Sequence, residues 1–453
     1  MSLGVVILAA GKGTRMRSAL PKVLHPLAGR PLLHHVLDAA EAVGAARICV
    51  VFGHGGELVP SRLADADCVW VEQPERLGTG HAVQQALPAL AEVGRVLVLY
   101  GDVPLIEAET LNRLIADSAD TALGLLTMRL ADPSGYGRIV RAPNGKVLRI
   151  VEQKDASEAE RGITEVNTGI IVADRARLAD WLGRVTNDNV QREYYLTDVI
   201  GLATSDGVDV VTAQPETLEE VAGINDRAQL AELERYYQRR VAECLMQRGT
   251  TIIDPARIDI RGTLECDRDV VLDVNLICEG RVRIGADSRI GPNCVLKDCE
   301  IGQGVEVLAN SLIEGARVGP GARIGPFARL RPEADIGRDC HVGNFVEIKK
   351  SSIADGSKVN HLSYIGDADI GVGVNVGAGT ITCNYDGANK HRTVIGDGAF
   401  IGSNSALVAP VAIGPGATIG AGSVIVHDAP PELLTVARGR QVTVEGWQRP
   451  LKK

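Results

Sequence analysis

A chain of 453 residues is too long for one ordinary hydrophobic core, so two or three domains are expected. The formal net charge of -9 argues against a general nucleic-acid binder, and aromatics at only 3% leave few platforms for stacking single-stranded bases. Nine cysteines, odd in number and never spaced C-x-x-C, indicate neither a disulfide framework nor a zinc knuckle and suit a reducing, cytoplasmic setting.

The opening GVVILAAG has no Lys or Arg before it and meets Lys12 and Arg15 directly after it, the reverse of a signal peptide, so it reads as a strand. No apolar run approaches the roughly 18 residues that span a bilayer, and integral membrane association is not expected. Over the first 225 or so residues, aliphatic runs (Val5 to Leu8, Ile48 to Val51, Val96 to Leu99) alternate with helical patterns near Leu32 to Val43 and Gly80 to Leu90. Such alternation predicts an α/β, Rossmann-like domain with a mostly parallel sheet.

After the first strand comes LAAGKGTRM, then Pro21-Lys22. Gly11 and Gly13 let the backbone approach an anion, Lys12, Arg15 and Lys22 supply charge, and a helix following the loop is expected to aim its amides at phosphate. A dinucleotide fingerprint would want glycine where Met16 stands, and a Walker A loop would want one five residues before its Lys-Ser/Thr pair. A glycine-rich turn with solvated charges is the alternative reading. Asp102 closes Tyr100-Gly101-Asp102 just beyond a strand end, where it can hold a divalent cation against phosphate or merely cap the next helix. Gln73 and Gly78-Thr79-Gly80 follow another strand end and would share that sheet edge.

From Glu216 to Arg248 apolar residues fall at helical spacing, and Gly249 is a plausible stop. Asn225 reads by spacing as a helix N-cap. The expected domains are 1–226, a linker helix 227–247, and 248–453. From Ile284 to Ile425 an aliphatic residue recurs about every six positions, usually before glycine, a period that belongs to a β-solenoid. The count breaks between Ile381 and Ile395, which predicts a protruding loop. His361, between Val359 and Ile365, is expected to face outward, where an imidazole suits a general base at neutral pH. His341 and His391 compete on composition, and a plain surface histidine is the bland alternative. Residues 430–453 leave the repeat as a basic tail with Arg438, Arg440, Arg449, Lys452 and Lys453.

LAAGKGTRM with Pro21-Lys22, the Gly78-Thr79-Gly80 turn and Tyr100-Gly101-Asp102 resemble the sugar-1-phosphate nucleotidyltransferases. With a hexad half carrying ITCNYDGANKHRT, nearly the whole chain resembles the bifunctional N-acetylglucosamine-1-phosphate uridylyltransferase and glucosamine-1-phosphate acetyltransferase family. The resemblance implies a left-handed parallel β-helix of hexapeptide repeats, a homotrimer, magnesium, UTP and acetyl-CoA as co-substrates, and a product, UDP-N-acetylglucosamine, used for cell-wall polysaccharide. It implies UTP contacts at Leu8, Ala9, Ala10, Gly11, Lys22, Gln73, Gly78, Thr79, Tyr100, Gly101 and Asp102. Sugar-phosphate contacts would be Gly137, Glu152, Asn167, Thr168, Gly169 and Asn225, with Asp102 and Asn225 as metal ligands and Arg15 and Lys22 stabilising charge. In the second half it implies His361 as base and Arg331, Lys349, Tyr364 and Asn375 at the sugar phosphate. Acetyl-CoA would meet Ala378, Asn384, Tyr385, Ser403, Ala421 and Arg438, with Lys390 and Arg440 as added partners. Alternation alone leaves Lys349 and Lys350 unresolved, and the family motif favours Lys349.

Overall fold

Alternate residues of the first strand are buried on opposite sides of a sheet: Val5 and Ile7 join one apolar cluster, Val6 and Leu8 another. This two-sided burial explains the unbroken aliphatic runs. A computed structural model describes residues 2–53, 56–450 and 452, so Lys453 of the basic tail lies outside the described residues. The chain divides into two compact units, residues 1–237 and 238–453.

In the first unit, β1 (Leu3–Leu8), β2 (Arg47–Gly53), β3 (Val69–Gln73), β4 (Arg95–Tyr100), β5 (Leu123–Arg129), β6 (Glu165–Asp174) and β7 (Val210–Ala213) lie in the order β7-β5-β6-β4-β1-β2-β3. The pairs β1/β2, β1/β4, β2/β3 and β5/β7 are parallel. Only β6 runs against its neighbours in this order, so its first residues reach the edge where β1 and β4 end. Helices α1 (Leu32–Ala42), α2 (Thr79–Ala86) and α3 (Ala108–Asp117) pack on the sheet. No α-helix follows the glycine loop directly. Thr14–Met16 and Lys22–Leu24 are single 3₁₀ turns, and the chain becomes α-helical only at Leu32, after Pro31.

Helix α4 (Arg227–Gln247) covers the expected linker, and the division between units falls inside it. Its first turns belong to the first unit, where Leu233 is buried and Tyr237 meets His35 edge-on at 5.8 Å. Its last turns belong to the second, where Ala242 and Leu245 join the solenoid core. There the buried Gln238 amide donates to Ile260 O at 2.9 Å and accepts from Ile260 N at 2.7 Å.

The second unit is an all-parallel β-helix with faces formed by an 11-stranded and a 16-stranded sheet. Val307, Ile324, Val342, Val359 and Val376 stack in register through successive coils, so every third hexad residue meets its equivalent. All five are at most 3% exposed, and shortening one to Ala is worth about 2–4 kcal/mol of core packing. Glycines that follow hexad residues answer to coil spacing: a Cβ on Gly319, after the buried Val318, would stand 2.7 Å from the Gly337 carbonyl carbon of the next coil. The step from Val376 to Ile401 is longer than the others because residues 384–392 leave the coil between strands Ile381–Cys383 and Thr393–Ile395.

Candidate active sites

At the carboxyl edge of the first sheet, Leu8 lies opposite both Val51 and Tyr100, and Gly53 lies opposite Gln73. The edge opens into a cavity of about 260 Å³ lined by Leu8 to Gly11, Lys22, Gln73, Gly78, Thr79, Tyr100 and Asp102. Gly101 stands between the last two. Gln73 is 3% exposed and donates to Gly78 O at 3.1 Å, which fixes the turn before α2. Gly78 has φ +112°, and a Cβ there would strike the Tyr194 backbone. Gly13 has φ +57°, and a Cβ would stand 2.7 Å from that of Lys22, so glycine is needed for the loop to fold against this lysine.

Opposite charges converge at one end of this cavity. The Lys22 ammonium pairs with Asp102 and lies 3.4 Å from Asn225 Oδ1, which also accepts from Arg15 Nη2 at 2.8 Å. Ile224 N donates to Asp102 O at 2.9 Å, which ties the Asn225 segment to the strand end. Neither polar side chain caps a helix. Asp226 accepts from Gln229 N at 2.9 Å at the start of α4, and Gln229 Oε1 accepts from Asn225 N at 2.8 Å, so the Asn225 amide is released to the site. Two oxygens facing a shared cationic position form a donor set suited to magnesium, which takes few protein ligands and keeps water and phosphate for the rest.

The expected sugar contacts gather where β6 departs from regular pairing. Its register with β5 shifts between Asn167 and Ile171, a bulge that lifts Thr168 and Gly169 out of the ladder. Asn167 Oδ1 accepts from Gly169 N at 2.9 Å, and Asn167 N donates to Gly137 O at 2.8 Å. Gly169 has φ +88°, with the Tyr100 ring where its Cβ would be. Burial, with the Glu152 and Asp102 carboxylates near it, pushes the Tyr100 phenol up. Glu152 accepts from Thr197 Oγ1 at 2.9 Å and is itself pushed up by burial. It lines a separate cavity of about 820 Å³ with Asp155, Tyr195 and Asp198.

In the solenoid, one corner carries a column of expected residues. Gly379 N donates to His361 O (3.1 Å), Asn404 N to Ala378 O (2.7 Å), Gly422 N to Ser403 O (2.8 Å) and Arg438 Nη1 to Ala421 O (2.7 Å). His361, Ala378, Ser403, Ala421 and Arg438 therefore follow one another along successive coils. His361 is exposed, and its Nδ1 lies 2.8 Å from Asn344 Oδ1. His341 stacks between Arg323 and Lys358, while His391 Nε2 braces the loop by pairing with Asp386 at 2.7 Å.

Arg331 pairs with Glu347 at 2.8 Å, one strand from Lys349, whose pKa is lowered by the Lys390 ammonium beside it. Lys350 sits on a left-handed corner and pairs with Glu333 at 3.2 Å, so the two neighbouring lysines have different settings. Asn384 is buried and donates to Asp367 and, at 3.5 Å, to the Tyr364 hydroxyl. Tyr385, 60% exposed, projects from the protruding loop. Asp386 shapes that loop by accepting from Ala388 N (2.8 Å) and Asn389 N (2.6 Å), and these amides and His391 hold its carboxyl below the usual range. Asn375 lies on the 11-stranded sheet between Lys358 and Phe400, a different face from Arg331, Lys349 and Tyr364.

Residues 5–164 match the MobA-like NTP transferase domain family, and residues 315–350 and 392–427 match the bacterial transferase hexapeptide (six repeats) family. The bifunctional protein GlmU of Azoarcus sp. (strain BH72) is 60% identical over 449 residues, 99% of each chain. That of Azotobacter vinelandii (strain DJ / ATCC BAA-1303) is 61% identical over 453 residues, the full length of both. The chain belongs to the GlmU family. Both halves of this GlmU-family chain contain residues that motif reading passed over. Arg76 and Glu193 line the first cavity, and Asn344 meets His361. Arg76 follows the strand end at Gln73 closely enough for spacing to have suggested it, whereas Glu193 and Asn344 reach their sites through tertiary contacts.

Proposed function

We propose that residues 238–453 transfer an acetyl group from acetyl-CoA to glucosamine 1-phosphate, and that residues 1–237 couple the N-acetylglucosamine 1-phosphate formed to UMP from UTP, releasing pyrophosphate and UDP-N-acetylglucosamine. The observation that carries the uridylyl-transfer half of this reading is the meeting of Lys22, Arg15, Asp102 and Asn225 at the edge of the cavity of about 260 Å³.

In uridylyl transfer the sugar phosphate oxygen attacks the α-phosphorus of UTP in line and pyrophosphate leaves, so positioning and charge neutralisation carry the rate. Asp102 and Asn225 would hold the divalent cation, magnesium in this reading, which when bound supplies charge to the attacking and α-phosphates. Lys22 and Arg15 then turn from their resting partners to the transferred and leaving groups. Tyr100 separates the nucleotide edge from the Asn167–Gly169 bulge that receives the sugar.

In acetyl transfer the sugar amine attacks the thioester carbonyl. The C–N bond forms, the C–S bond breaks, and the amine proton passes to His361 and on to the departing thiolate. Arg331 and Lys349 clamp the sugar phosphate, and the column from Ala378 to Arg438, with Lys390 as an added phosphate partner, receives coenzyme A. A homotrimer in the cytoplasm completes the proposal. Phe327 and Phe345 stack at 5.3 Å on the corner that carries Leu362, all three exposed, which supports a second copy covering the face beside His361. All nine thiols are free, in keeping with a reducing compartment. No helix among the described residues is long and apolar enough to cross a membrane.

The test is to incubate the purified protein with glucosamine 1-phosphate, acetyl-CoA, UTP and magnesium, omitting each in turn. Pyrophosphate that forms only when acetyl-CoA is present supports both steps and their order. Pyrophosphate release indifferent to acetyl-CoA, or none with added N-acetylglucosamine 1-phosphate, overturns the reading.

A further inference from the structure

Asn344 ends the strand His341–Asn344, and in the next coil His361 ends the strand Lys358–His361 directly opposite it. The Asn344 carbonyl also accepts from Leu362 N at 3.1 Å, so the backbone of the two corners is fastened on both sides of the imidazole. From this fixed position Asn344 Oδ1 faces His361 Nδ1 at 2.8 Å, while His361 stays exposed. An amide oxygen can only accept a hydrogen bond, so the proton of the neutral ring must sit on Nδ1. The lone pair is then on Nε2.

We infer that Asn344 is the positioning residue of acetyl transfer, holding the His361 ring in the Nδ1–H tautomer and aiming Nε2 at the substrate amine. The inference rests on His361 being the base of the proposed acetyltransferase. Neutral imidazole in solution exchanges tautomers and rotates freely. Here a coil-to-coil hydrogen bond selects one tautomer and one ring orientation before substrate arrives. When Nε2 takes the amine proton the ring becomes a cation, and the bond from Nδ1–H to Asn344 turns charge-assisted. Asn344 thus stabilises the proton-accepting state without touching substrate.

The experiment compares Asn344→Leu, Asn344→Asp and His361→Ala in the full chain, with glucosamine 1-phosphate and acetyl-CoA as substrates and thiol release as readout. Asn344→Leu keeps the shape and removes the acceptor, and is expected to lower kcat about tenfold or more, with KM for both substrates within about twofold. Asn344→Asp keeps an acceptor and adds a charge that favours imidazolium, so it should recover most of kcat and move the acid limb of the kcat/KM profile to higher pH. In the unaltered protein labelled with ¹⁵N-histidine, the His361 correlation pattern should be that of an Nδ1–H ring.

A wild-type kcat and pH profile in Asn344→Leu, equal impairment of the Leu and Asp variants, or an Nε2–H pattern would overturn the inference. The labelled wild-type protein and the Asp variant decide it even if Asn344→Leu does not fold. If His361→Ala retains acetyl transfer, the assignment of the base has failed instead.

Discussion

The Lys22 ammonium lies against the Asp102 carboxylate, with Asn225 Oδ1 3.4 Å from the same nitrogen. A lysine of the chain thereby stands between the two groups proposed to hold a divalent cation. The pair is largely buried, and removing one partner leaves the other charge poorly solvated.

Asp102→Ala is accordingly expected to lower uridylyl transfer by about 10²-fold or more. Acetyl transfer, read as thiol release by the same preparation, should stay within about twofold. Equal loss of both activities in a folded variant would mean that Asp102 supports the structure generally rather than one site.

Arg15 differs from Lys22 in being exposed and held, among the described residues, by its 2.8 Å bond to the Asn225 amide alone. Such a group is free to swing onto charge that develops late. Arg15→Ala should therefore reduce kcat about 10-fold to 100-fold while the KM for UTP changes less than about threefold. A loss confined to UTP affinity would assign Arg15 to ground-state binding.

Among the described residues the His361 imidazole is hydrogen-bonded to Asn344 alone, and His361 lies in the second unit. His361→Ala should lower acetyl transfer by about 10²–10⁴-fold and leave pyrophosphate release from UTP and N-acetylglucosamine 1-phosphate within about twofold. Coupled pyrophosphate and thiol assays on one preparation check both halves of this expectation.

Much of this was legible in the chain because the relevant geometry is periodic or local. Hexad residues such as Ile324 and Val342 are buried because one coil takes three hexads, so the period writes the core directly into the sequence. The protruding loop was legible as a break in that count. Asn344 was not, because it meets His361 only through stacking of successive coils. Helix capping misled for a different reason. Asn225 and Asp226 are both good N-caps, and only the fold decides that Asp226 takes the Gln229 amide while Asn225 faces Lys22 and Arg15. The glycine loop likewise ends in 3₁₀ turns because Pro21, Pro26 and Pro31 delay the α-helix to Leu32.

Asp198, in the first turn of the helix Asp198–Ser205, is pushed up to about 6 by burial, reinforced by the Glu152 and Asp155 carboxylates. A carboxyl whose folded-state pKa exceeds its ordinary value binds its proton more tightly when folded. That contribution is present at low pH and disappears as pH rises from about 4 through about 6. Above that window an ionised Asp198 opposes folding, by about 1–2 kcal/mol after partial hydration and the favourable helix N-terminus are allowed for. Asp198→Asn keeps the size and removes the charge. It should raise the stability of the first unit by about that amount at pH 8 and by almost nothing at about pH 3, below both pKa values. Urea unfolding of the variant and the unaltered chain at both pH values checks this, and a gain of equal size at the two would show that packing rather than ionisation is responsible.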